Sequence, residues 1–151
     1  MHRMSHWIIA TAMLVISTLT ARGALLVFEA EDTAQRMVTR HAWYDSVTTN
    51  ELSGGAWISH YSKDRTGQVA CAIDVPERGT YTLWLRANPT AAYSWRMDST
   101  DWQPVNVHEA VDRRNIAADG KIDLRFIAWI NAGSVPLDKG EHTLVIAMHG
   151  A

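Results

Sequence analysis

The residues of this chain best suited to recognition chemistry are its tryptophans. All but Trp7 lie beyond residue 23, at positions 43, 57, 84, 95, 102 and 129. An indole face is apolar and electron-rich, so it stacks on the apolar, slightly positive C–H face of a pyranose ring. Neighbouring Asn, Asp, Gln and Arg side chains then read the hydroxyls. Five tryptophans and one tyrosine are candidates for such platforms. Trp57 follows Gly54-Gly55, with Tyr61 close behind; Trp43 stands beside Tyr44 and Asp45; and Trp84 alternates with Thr82 and Arg86. Trp102 follows the turn Asp98-Ser99-Thr100-Asp101, and Trp129 alternates with Ile127 and Arg125. For each of them the competing role is packing in a core. Trp95, which alternates with Met97, is assigned to the core outright.

Other chemistries find less support. Glu29 and Glu31 share one face of an expected first strand, because side chains alternate along a strand. Two acids side by side suit ion binding, whereas glycoside hydrolysis needs carboxyl groups facing one another across a cleft. Beyond the first 23 residues, His41, His60, His108, His142 and His149 show no zinc-ligand spacing. Cys71, the single cysteine, falls in step with Val69 and Ile73 and reads as a core thiol rather than a nucleophile. No serine elbow, phosphate loop or cofactor fingerprint is present. Catalysis within this chain is therefore not expected.

The first 23 residues carry a different signal. A basic start at Arg3 leads into an apolar run from Trp7 to Leu19, then Ala21-Arg22-Gly23. This is the pattern of a secretory signal peptide, expected to be a helix and to be cleaved after Gly23, and it implies a secreted or periplasmic protein. Nothing later in the sequence is apolar enough for a membrane span. The net charge is −2, and losing Arg3 and Arg22 with the leader makes it −4. Neither nucleic acid nor an anionic membrane surface is an expected partner of so acidic a chain.

The elements that must position the aromatics are short runs of period-two alternation separated by Gly, Pro, Asp and Asn. Strands are predicted over residues 25–31, 37–43, 56–61, 68–75, 80–87, 93–98, 103–108, 123–130, 134–137 and 142–148. Such a series implies an all-β sandwich or barrel. Val75-Pro76-Glu77-Arg78-Gly79 and Leu137-Asp138-Lys139-Gly140 read as tight reversals. Residues 111–121 have the composition of a long surface loop. No repeat or linker divides residues 24–151, which form one domain.

Several of these features, taken in order, resemble the family-6 carbohydrate-binding modules and their neighbours among the galactose-binding-like β-sandwiches. The matching residues are Phe28-Glu29-Ala30-Glu31, Ser53-Gly54-Gly55-Ala56-Trp57-Ile58, Val75-Pro76 with Gly79 to Arg86, and Trp129. Val135, Leu137, Gly140 and His142-Thr143-Leu144 complete the set. The resemblance implies a jelly-roll β-sandwich that binds polysaccharide or oligosaccharide, commonly as an appendage of a secreted glycan-active enzyme. It also implies a structural calcium ion held in part by Glu29 and Glu31, an ion that takes about six to eight oxygen ligands. The family's closing strand, bearing an Asn and an Asp, is not recognisable, so a domain lacking its last strand is part of the expectation. Two alternatives stay open: a structural or protein-interaction sandwich without sugar binding, and the N-terminal part of a larger secreted glycan-active enzyme.

Overall fold

A computed structural model describes residues 24–149, together with the backbone of residues 12–16. The fold is an all-β sandwich of two five-stranded antiparallel sheets. In chain order the strands are β1 (Ala12–Ile16), β2 (Leu25–Phe28), β3 (Arg36–Met37), β4 (Gly67–Val75) and β5 (Gly79–Ala87). They continue with β6 (Ala92–Met97), β7 (Gln103–Pro104), β8 (Val111–Asn115), β9 (Phe126–Leu137) and β10 (Gly140–His149). The first sheet runs β2-β1-β5-β9-β8 and the second β3-β4-β10-β6-β7. Among the described residues no helix is long and apolar enough to cross a membrane.

Alternation builds the core between the sheets. On β4, Val69, Cys71, Ile73 and Val75 are buried while Ala72 and Asp74 are exposed. On β5, Tyr81, Leu83 and Leu85 turn inward and meet Ile130 of β9 and Leu144 and Ile146 of β10. Burial of each such side chain contributes roughly 1.5–3 kcal/mol, and with no disulfide available it is this packing that holds the sheets together. Trp95 is buried in the same cluster, its indole N–H donating to the Ala132 carbonyl at 2.7 Å. Cys71 is buried too, and that burial pushes its thiol pKa up, as befits a packing role.

Several segments differ from the sequence expectation. Strand 25–31 stops at Phe28 and passes into a 3-10 turn at Ala30–Asp32. Glu29 and Glu31 therefore no longer share a strand face. Strand 37–43 shrinks to β3 and a later 3-10 turn, Ala42–Asp45, while residues 56–61 form no strand. Strand 103–108 keeps only β7 before a 3-10 turn at Val107–Glu109. The expected loop 111–121 begins as β8, a charged edge strand, and the two strands over 123–137 are one, β9. The break between them is a local irregularity near Gly133 (φ +111°), where the register with β5 shifts. The helix expected over residues 1–23 lies outside the described residues except at 12–16, and these are strand, not helix.

The sheet end near β10 carries a pH-sensitive tie. Asp98, in the left-handed region at φ +52°, follows β6 and accepts from the Thr143 backbone N–H at 2.7 Å and from His142 Nδ1 at 2.8 Å. The other imidazole nitrogen donates to the Asp138 carbonyl at 2.9 Å. Both contacts call for an N–H, so the protonated ring fits best. Hydrogen bonding to Asp98 raises the His142 pKa above its usual 6.5, against the desolvation that lowers it. Desolvation pushes Asp98 up, but its bonds from His142 and Thr143 outweigh this and hold it below the usual carboxylate value. A raised folded pKa means the stabilisation is complete below the unfolded value and is lost as pH rises through the folded one. The urea midpoint should therefore fall as pH rises above about 6.5, and His142→Gln should flatten that slope; identical slopes for the two proteins would contradict the tie.

Candidate functional site

The site is built on the outer face of the first sheet, where β9 is apolar on its second side as well. Ile127 and Trp129 point away from the main core and are 1 % and 6 % exposed. They need a cover, and the chain supplies it from residues 46–57. Leu52 is buried with Ile116 and Ile127, and Val47 and Trp57 pack against that group. A bridge between Val47 and Ala117, with Thr48 N–H donating to the Ile116 carbonyl at 2.7 Å, fixes the cover to the chain beyond β8. Arg86, across from Trp129 in the β5–β9 ladder, lays its guanidinium 5.3 Å from the indole centroid and donates to the Glu51 carbonyl at 3.0 Å. Trp129, expected among the ligand platforms, is buried here with the Arg86 guanidinium over its ring.

Arg125, just before β9, is 2 % exposed. Its guanidinium bonds both Asp123 oxygens, Asp119 Oδ1 at 2.8 Å and the Ser46 carbonyl at 2.8 Å. Hydrogen bonding by Arg125 holds Asp123 below the usual carboxylate range, against its desolvation. So anchored, the guanidinium lies 4.8 Å from the centroid of Trp43, a cation–π contact that backs this ring from beneath. Trp43 itself stays 38 % exposed.

Around Trp43 stand the other aromatics of residues 41–61. Tyr44 meets Trp43 edge-on at 4.8 Å between centroids and Trp57 at 6.1 Å. Trp57 donates its indole N–H to the Tyr44 carbonyl at 3.1 Å. His41 bridges Tyr44 and Tyr61, with centroids 6.4 and 5.2 Å away, and its Nδ1 accepts from the Trp43 backbone N–H. Tyr61 is 41 % exposed. Three expected platforms, Trp43, Trp57 and Tyr61, thus come together although 18 residues separate the first from the last. Trp57 also lines an open groove of about 530 Å³, whose polar wall includes Glu31, Arg36, Arg40, Asp45 and Ser59. Arg40 and Asp45 form an ion pair at 2.8 Å across that wall.

The remaining candidates stand elsewhere. Trp84 is half-buried on the outer face of β5, in register with Asn131. Trp102 is 38 % exposed on the second sheet's side, with the Arg96 guanidinium 4.8 Å from its ring. Glu29 accepts from the Ser53 hydroxyl at 3.1 Å, and Glu31 borders the groove. Among the described residues no group of three or more His, Cys, Asp or Glu side chains is gathered in a way that could hold a metal ion. The residues that sequence reasoning missed are Arg125, with Asp119 and Asp123, and Arg86. The signal for the first set is Asp-x-Arg just before the strand that carries Trp129. No family model, curated protein or solved structure matches the chain.

The position of Tyr61 depends on close packing one residue earlier. The His60 ring lies against Gly67, where a Cβ would stand 2.5 Å from the imidazole Cγ. In that place His60 Nδ1 accepts from the Thr39 N–H at 3.0 Å and Nε2 donates to the Arg65 carbonyl at 2.9 Å. Tyr61 N–H in turn donates to the Thr39 carbonyl at 2.9 Å. Gly67→Ala should expel the ring, lower stability by about 1–3 kcal/mol in urea titrations and speed hydrogen exchange at the Thr39 and Tyr61 amides. Unchanged exchange at both amides would show that the ring does not hold this segment.

Proposed function

We propose that this chain is an exported, non-catalytic glycan-binding module with the jelly-roll topology of the family-6-like carbohydrate-binding modules. The supporting observation is the convergence of Trp43, Tyr44, Trp57 and Tyr61 beside a groove with a polar wall. A sugar ring offers an apolar face to such aromatics and hydroxyls to the charged groups around them. Trp43 is the leading platform, because Arg125 backs it while much of its surface stays open. Trp57 carries the aromatic surface into the groove, and Tyr61 adds a further exposed ring beside His41. Trp84 and Trp102 lie apart from it and are secondary.

Export follows, in this reading, from the leader over residues 1–23, and the natural ligand is then a polysaccharide or oligosaccharide met outside the cytoplasm. The module would serve as an appendage, with any catalysis in a partner domain of a longer polypeptide. A structural calcium ion at Glu29 and Glu31 belongs to the same reading. The two carboxylates would supply only part of its shell, and backbone carbonyls, hydroxyls or water would have to supply the rest. Trp129 is buried, whereas Trp43 and Tyr61 keep much of their surface open to a ligand.

Isothermal titration against a panel of plant and microbial polysaccharides tests this function. Trp43→Ala should weaken binding to the best ligand about tenfold, equivalent to roughly 1.4 kcal/mol, and leave the fold intact. Trp102→Ala should leave the affinity unchanged. A folded protein that binds no member of the panel would refute the proposal.

A further inference from the structure

β1 takes an interior place in the first sheet, between β2 and β5, and those two strands form no ladder with one another. Position 14 lies opposite Leu26 on one side and Leu83 on the other; position 12 lies opposite Phe28 and position 16 opposite Tyr81. Leu83 and Tyr81 are fully buried, and Leu26 and Phe28 pack on the main core. The place filled by β1 is thus one strand wide, floored by the core and walled by two rows of backbone hydrogen-bonding groups. β1 is antiparallel to both neighbours, so β2 runs parallel to β5. Without β1, β2 could close the gap only by forming a parallel pair in an otherwise antiparallel sheet. Neighbouring strands sit about 4.8 Å apart, so β2 would also have to travel a full strand spacing and leave its packing on the core.

Cleavage after Gly23 would detach residues 12–16 from the domain. We propose that the gap between β2 and β5 is a strand-acceptor site, which takes an extended apolar strand of a partner polypeptide once the leader is removed. The inference rests on the proposed export and processing. Main-chain pairing supplies the attachment and alternate side chains the selectivity, as in other cases of strand addition. The occupant is specified by the strand now seated there: five residues, antiparallel to both walls, with an apolar sequence. Proline is excluded where an N–H must join a ladder. β1 begins at the end of the sheet that carries Phe28 and Trp84. β10 ends at the same end of the sandwich, His149 pairing with Ala92 just after the β5–β6 connection.

The test uses the exported protein, with its intact mass establishing whether residues 1–23 are gone. A synthetic peptide of residues 11–17, made soluble by terminal lysines, is titrated into it. The expected result is binding of one peptide per chain, a thermal midpoint that rises with peptide concentration, and new hydrogen-exchange protection in Leu25–Phe28 and at residues 81–84. A Leu14→Asp peptide should not bind. A processed, folded chain that ignores the peptide overturns the acceptor site and leaves the export reading standing. Retention of residues 1–23 overturns both. A processed chain that dimerises and already protects β2 and β5 assigns the gap to a second copy and overturns the partner strand.

Discussion

The constraint on which the rest of this structure depends is that β9 is apolar on both faces. Its inner residues, Ala128, Ile130 and Ala132, close the space between the sheets, while Ile127 and Trp129 leave a second apolar surface outside. A sheet face of that kind must be covered by something. Residues 46–57 provide the cover, and the aromatic residues with their groove stand where the cover meets the next segment. The candidate site is thus a by-product of burying β9, since the cover cannot be removed without exposing Ile127 and Trp129 to water.

Charge makes this arrangement specific. Arg86 and Arg125 are both buried beside the covered face, and burying a guanidinium is costly unless its donors are satisfied. Arg125 meets the condition through Asp123, Asp119 and the Ser46 carbonyl, and Arg86 partly through the Glu51 carbonyl. Two of these acceptors, at Ser46 and Glu51, belong to the covering segment itself. The cations therefore fix where that segment lies, and their flat faces each take an indole, Trp129 under Arg86 and Trp43 over Arg125. One tryptophan is hidden by this and the other is presented.

Much of the sandwich was legible in the sequence, because β4 and most of β5 alternate and the strands are bounded by glycine, proline or aspartate. What escaped were segments whose burial is not periodic. Leu52 and Trp57 cover a face from a series of 3-10 turns, so no alternation reveals them, and β8 reads as a loop because Asp112, Arg113 and Arg114 are exposed at a sheet edge. Edge strands carry charge for reasons of solubility, and a charge run alone cannot tell an edge from a loop. The site was half legible. Aromatic residue type marked Trp43, Trp57 and Tyr61, but their meeting is a tertiary event. The burial of Trp129 depends on Arg86, 43 residues earlier in the chain and opposite it in the ladder.

The most direct test of this account follows the six indole N–H resonances of residues 43, 57, 84, 95, 102 and 129 by NMR as a soluble glycan is added. Shifts at Trp43 and Trp57, with Trp95 and Trp129 unmoved, are what a site on the cover of β9 predicts. Shifts confined to Trp84 or Trp102, or none with any glycan that binds, would contradict it.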